Sequence, residues 1–194
     1  LLKMSSAVTG ITVLLIIIFL FKEGLGLFKS STVEKGYTLV VNTQNPVNRL
    51  TAVEIKEIFD SEIENWKDVG GSNDDIRIFR FDEIFTMYSD EELGDGYSLL
   101  PQKLGEIIQS DSTIIAFLPL KYVPKNMSGI KELKTDIISI SDFFLGTTWL
   151  PTATPSALFG ILPLIVGTLL VSFIAIIIAI PFGVGLAIYL SEIA

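Results

Sequence analysis

Two stretches of this chain carry no charged side chain at all, Met4 to Phe21 and Phe143 to Ser191, 18 and 49 residues long. Such runs restrict a chain more than any motif does. In lipid, backbone polar groups must be satisfied inside the segment itself, so an apolar run of that length predicts a membrane-spanning helix. Met4 to Phe21 reaches about 27 Å as a helix, close to a hydrocarbon core. Lys3 ahead of it also fits a secretory signal, but no A-x-A-like cleavage site follows in KEGLGLFKS. Within the second stretch, Phe159 to Ile180 predicts a continuous helix with Pro163 in its first turn, where a missing N–H costs little. Pro181, Gly183 and Gly185 are expected to interrupt it.

Nearly all the charge lies between these stretches. Residues 30–148 hold 11 of the 14 Lys and Arg and 20 of the 22 Asp and Glu, a formal charge of −9. So acidic a segment argues against nucleic acid as a partner, since phosphate backbones are bound through clustered Lys and Arg. There is neither cysteine nor histidine, which excludes thiolate chemistry and removes the commonest general base and zinc ligand. No phosphate-loop or nucleophile-elbow motif stands in their place. The run Asp90, Glu91, Glu92 and Asp95 reads as a solvated turn.

The acidic segment has the pattern of a small α/β domain. Tyr37–Val41, Ile76–Phe81 and Thr113–Leu118 are strand-like. Thr51 and Glu54 form a capping box that opens a helix from Ala52 to about Asp60, with Val53, Ile55, Ile58 and Phe59 along one side. Leu99 to Gln109 fits a second amphipathic helix.

Val41 to Gly71 reads VNTQNPVNRLTAVEIKEIFDSEIENWKDVGG. The anchors Asn45-Pro46, Leu50-Thr51, Ile58-Phe59, Ile63, Asn65-Trp66 and Gly70-Gly71 resemble a stretch of phosphate-type periplasmic binding proteins. TIIAFLPLKYV (113–123) and IKELKTD (130–136) are similar to later pieces of the same family. A second resemblance covers the ends. FKEGLGLF (21–28), FFLGTTWLP (143–151) and the run from Phe159 to Ala194 look like the PstC-type permease subunit of phosphate ABC importers. Some of those permeases carry a binding-protein-like insert between their first two helices.

Together the resemblances imply a membrane α-helical protein with an inserted α/β binding-protein-like lobe. Its parts would be a first span in 1–29, an extracytoplasmic insert in 30–148, and a second span with the start of the permease core in 149–194. They imply a bacterial inner-membrane location and no enzymatic activity. This chain would hold no cofactor, ATP being hydrolysed by a separate subunit. The implied partners are a second permease subunit, ATP-binding subunits, an extracytoplasmic phosphate-binding protein and membrane lipid. The insert would act in docking or assembly, with Asn45, Pro46, Thr51, Glu54, Ile58, Phe59, Asn65, Trp66, Gly70 and Gly71 as its structural motif.

The chain departs from the binding-protein pattern where it matters for ligand. A Ser-Gly-Thr turn is expected after the strand that follows the Gly pair, and Phe81-Asp82-Glu83-Ile84-Phe85-Thr86 stands there instead. The insert also has length for one lobe, whereas the family closes two over its ion. The alternative is a tethered module that itself binds phosphate or another oxyanion, with Arg80 and Thr86 as ligands. The permease resemblance further implies four more spans and a coupling helix beyond Ala194.

Overall fold

The computed structural model describes residues 2–124 and 128–192. It divides into two compact units, Leu1–Ile138 with Pro151–Leu158, and Ser139–Leu150 with Phe159–Ala194.

The first unit opens with helix α1 (Leu2–Gly26), followed by a 3-10 turn over Leu27–Lys29. A four-stranded sheet then forms from β1 (Tyr37–Asn42), β3 (Arg77–Arg80), β4 (Ile114–Pro119) and β5 (Ile130–Glu132). A two-residue strand β2 (Arg49–Leu50) pairs separately with β6 (Lys134–Thr135). The sheet order is β3-β4-β1-β5. Strands β3 and β4 run parallel, while β1 is antiparallel to both of its neighbours.

Both faces of this sheet are covered, which is why β4 is apolar at nearly every position. Helix α4 (Leu100–Ser110) sets Leu100, Leu104 and Ile108 against Val40, Phe79, Ile114 and Ala116 on one face. Helix α2 (Ala52–Phe59) sets Ile55, Ile58 and Phe59 against Leu39, Val41 and Ile115 on the other, with Trp66 beside them. Burying side chains of this size contributes about 1.5–3 kcal/mol each. A four-residue helix, α3 (Ile84–Met87), follows β3 and buries Ile84.

The expected capping box is present. The Thr51 hydroxyl accepts the Glu54 N–H at 3.2 Å, and Glu54 Oε2 accepts the Thr51 N–H at 2.7 Å. Three sequence expectations need correction here. Val53 is exposed, not on the packed side: it precedes Ile55 by two residues, about 200° round the helix at 100° per residue. The strand expected over Ile76–Phe81 is β3, Arg77–Arg80, because Phe81 already starts a 3-10 turn over Phe81–Glu83. Strand β5 was not foreseen, being only Ile130, Lys131 and Glu132; it pairs with β1 through Asn42, Val41 and Val40.

In the second unit, α5 (Ile140–Leu145) precedes a short strand β7 (Trp149–Leu150); β8 (Leu158–Phe159) leads into α6 (Leu162–Glu192). Gly146 and Gly160 let two backbones meet: a Cβ on Gly160 would lie within 2.6 Å of the Gly146 main chain. The Gly160 N–H donates to Thr148 O at 2.8 Å, so the helix begins at Leu162 and not at the expected Phe159. Nor does it stop at Pro181, which lies inside its 31 residues. A proline removes one intrahelical hydrogen bond, and where no water competes for the backbone the bonds on either side keep the helix going. The Thr168 and Ser172 hydroxyls donate back to the carbonyls of Leu164 and Thr168, at 2.7 and 2.8 Å, so neither hydroxyl is a bare donor on the apolar surface.

Both α1 and α6 are long and apolar enough to cross a membrane, with mean hydropathies of 2.3 and 2.8 over their apolar windows. Neither window is covered by protein, which sets them apart from the core helices of a soluble domain.

Candidate functional site

In α/β sheets ligands favour the carboxyl ends of parallel strands. Here that place is the end of β3 and β4, where Arg80 stands opposite Phe117 and Pro119 pairs with Tyr37. An open cleft of about 530 Å³ lies there. Its apolar wall is Tyr37, Phe59, Phe81 and Phe117, and its polar groups include Arg80, Asp60 and Asp82; Thr154 and Pro155 complete it. Tyr37 stacks on Phe117 at 4.7 Å between ring centroids, and Phe59 meets Phe117 edge-on at 6.1 Å.

The charges are arranged against an anion. Among the described residues Arg80 is the single cation lining the cleft, and Asp60 and Asp82 share the lining with it. Lys56 pairs with Asp60 across one helical turn, and that hydrogen bond raises the lysine pKa. Beyond Arg80, an oxyanion would need the free amides at the start of the following turn. The first of these is taken: Glu83 Oε1 accepts the Arg80 N–H at 2.8 Å. Thr86 does not line the cleft, and its hydroxyl donates to Glu83 O at 2.7 Å. Of the two residues considered as ligands, the fold therefore puts only Arg80 at the cleft.

The motif residues are placed differently, and their partners explain them as structure. Asn45 is buried; its Oδ1 accepts the Val47 N–H at 2.9 Å and its Nδ2 donates to Ser112 O at 3.3 Å. Pro46 follows it, exposed in the same turn. Trp66 is fully buried, and its Nε1 donates to Thr113 O at 2.8 Å. Asn65 caps the 3-10 turn over Trp66–Val69 through Lys67 N. Gly70 ends that turn at φ 81°, and Gly71 lies so close to Trp66 that a Cβ would come within 2.8 Å of the Trp66 carbonyl oxygen. Phe59 alone of this motif lines the cleft.

Two features escaped the sequence reading. Asn42 is buried at the end of β1, and its Nδ2 donates to the carbonyls of Ile108 and Gln109, at 3.1 and 3.0 Å, closing the end of α4. The aromatic wall was missed because Tyr37 and Phe117 are 80 residues apart in sequence. The acidic run from Asp90 to Asp95 is a turn in which Glu92 Oε2 accepts from Ser89 N and Oγ, and this lowers the Glu92 pKa. Among the described residues no three of Asp, Glu, His or Cys are gathered as a metal site requires.

No protein-family model matches the chain. Among solved structures it is similar to a protein assigned as a phosphate ABC transporter substrate-binding protein, with bound phosphate, from Clostridium perfringens. That match has 24% identity over 57% of this chain and 49% of that one, with a TM-score of 0.38. It is also similar to an ABC-type phosphate transport receptor from Vibrio cholerae (21% identity, 59% and 52% covered, TM-score 0.38). A third is PstS from Borrelia burgdorferi (14% identity, 57% and 51% covered, TM-score 0.40). The chain spans about half the length of these structures.

Proposed function

We propose that this chain is a membrane-tethered, binding-protein-type lobe of a phosphate ABC import system, and that the lobe works by docking to protein and not by capturing the ion. The observation that carries docking over capture is the contact between Glu83 and the Arg80 amide, which puts a carboxylate of the chain itself on the donor an anion would use. Asp60 and Asp82 add two like charges in the lining of the cleft itself. Two like charges 4 Å apart repel by about 4 kcal/mol at an effective dielectric near 20, comparable to what one arginine returns.

In its finer form the proposal is the N-terminal part of a PstC-type permease, with residues 30–148 outside the cytoplasm of a bacterial inner membrane. The end-segment resemblances and the two apolar helices support it. The partners would be a second permease subunit, ATP-hydrolysing subunits and a phosphate-binding protein. This chain would hold no cofactor and catalyse no reaction.

The second reading is a solute-binding module. The structures named above are substrate-binding or receptor proteins and not permeases, and Arg80 at the cleft is the residue such a module would use. Titration calorimetry of the whole chain in lipid nanodiscs with inorganic phosphate, at moderate salt, separates the two. No saturable heat is expected. A dissociation constant in the low micromolar range or tighter would make the lobe a binding module.

A further inference from the structure

The segment from Phe81 to Leu99 exposes more apolar surface than its packing requires. Phe85, Met87 and Leu99 are 42%, 48% and 44% exposed, although Ile84 and Leu93 already supply the segment's anchors in the core. Exposed Phe85 and Tyr97 continue a run of rings that starts with half-buried Tyr122 and Phe81, which pack on the core. Phe81 stacks on Tyr122 at 5.4 Å, Phe85 meets Phe81 edge-on at 5.7 Å, and Tyr97 meets Phe85 at 5.5 Å. The four rings form one ridge in the order Tyr122, Phe81, Phe85 and Tyr97, and Phe81 also lines the cleft. Its far end is held under strain. Tyr97 has φ 63°, in the left-handed region that L side chains avoid, and it directly follows Gly96 at φ 61°, with Gly94 at φ 76° three residues before it. Strain of that kind persists where the position of a side chain matters.

The segment that carries Phe81, Phe85 and Tyr97 is strongly acidic, while Lys121 stands over the Tyr122 ring at the other end of the ridge, 4.9 Å from its centroid. From Arg80 to Leu99 the chain has six carboxylates, Asp82, Glu83, Asp90, Glu91, Glu92 and Asp95, and one cation, Arg80. Exposed aromatic side chains amid exposed charged ones have the anatomy of a protein interface. The sign of the segment's charge selects the occupant. A second copy would set the same six carboxylates against these, and an anionic lipid surface would be repelled in the same way.

We propose that the Phe81–Phe85–Tyr97 ridge docks a protein partner presenting an apolar patch bordered by lysine and arginine. This rests on the docking reading of the lobe. The test places the photoreactive residue p-benzoylphenylalanine at Phe85, at Tyr97 or, as a control on the exposed side of α2, at Val53, in the full chain in its native membrane. Adducts are then identified by mass spectrometry. The expected result is one protein captured from both ridge positions, at a yield at least tenfold above that from Val53. The linked peptide should carry Lys or Arg within a few residues. Reversing the segment's charge by D82K, D90K and D95K together should cut that yield about tenfold, and changing the partner's basic residues to Glu should restore it. Raising the salt to about 0.5 M, which needs no substitution, should lower the yield in the same direction because exposed charges are then screened. Adducts to a second copy or to lipid would overturn the proposal, as would ridge yields no higher than the control. Capture from Val53 alone would sink the ridge while leaving docking in place; capture of no protein from any position would sink both.

Discussion

The Glu83 carboxylate accepts the backbone N–H of Arg80 at 2.8 Å, closing the first turn after β3 upon itself. The same contact occupies the Arg80 amide where the strand ends, and the next residue, Phe81, lines the cleft. Glu83→Ala should lower stability by about 0.5–2 kcal/mol, the usual cost of losing a cap. Glu83→Gln, which keeps an accepting oxygen, should cost less than Glu83→Ala. The urea midpoint of the whole chain in detergent, followed by tryptophan fluorescence, gives both values; equal losses for the two variants would mean the cap is not what the side chain supplies.

Asn42 and Asn45 should be more sensitive than their polarity suggests. Asn42→Ala leaves the carbonyls of Ile108 and Gln109 without the partner that closes α4. Asn45→Ala removes the acceptor of Val47 N and the donor to Ser112 O. Leaving buried groups unpaired costs about 1–3 kcal/mol. Amide hydrogen exchange provides a local check: Asn42→Ala should speed exchange in the last turn of α4 more than in α2.

Gly70 and Gly71 are adjacent and should respond to Ala for different reasons. At Gly71 a methyl group meets the Trp66 carbonyl oxygen at 2.8 Å and its Cβ at 2.9 Å, so the turn must move, at about 1–3 kcal/mol. At Gly70 there is open space, and the cost is the left-handed backbone alone, about 1 kcal/mol. Gly71→Ala should also shift the emission of buried Trp66, and Gly70→Ala should not.

Asp111 links β3 to the start of β4. Burial pushes its pKa up, but the Thr113 hydroxyl and N–H, at 2.6 and 2.9 Å, and the Arg77 guanidinium outweigh that and hold it below the usual value. A carboxylate depressed on folding stabilises fully above its unfolded pKa, about 3.9, and loses that contribution as pH falls through the folded value. The urea midpoint of the native chain should therefore fall between pH 5 and pH 3 more steeply than that of Asp111→Asn. Parallel curves would exclude Asp111 as a source of acid sensitivity.

Whatever depends on neighbours within a few residues, or on a run of one chemistry, was legible in the unfolded chain. An uncharged run of 18 residues has one solution in lipid, so α1 and α6 were legible as helices from composition alone. The Thr51–Glu54 box lies within one helical turn, so the start of α2 was legible too. Three strands of the sheet were readable from their apolar patterns, with ends misplaced by a residue or two. The rest came from long-range pairing and packing. Strand β5 exists because β1 has an open edge, and nothing in Ile130-Lys131-Glu132 announces it. Passage of α6 through Pro181 depends on the bonds on either side of the proline, which a local breaker rule ignores. The cleft wall joins Tyr37 to Phe117, and the ridge joins Phe81 to Tyr122. Side chains so far apart in sequence meet only once the strands are in register, because pairing, and not local preference, fixes which ends of the strands coincide.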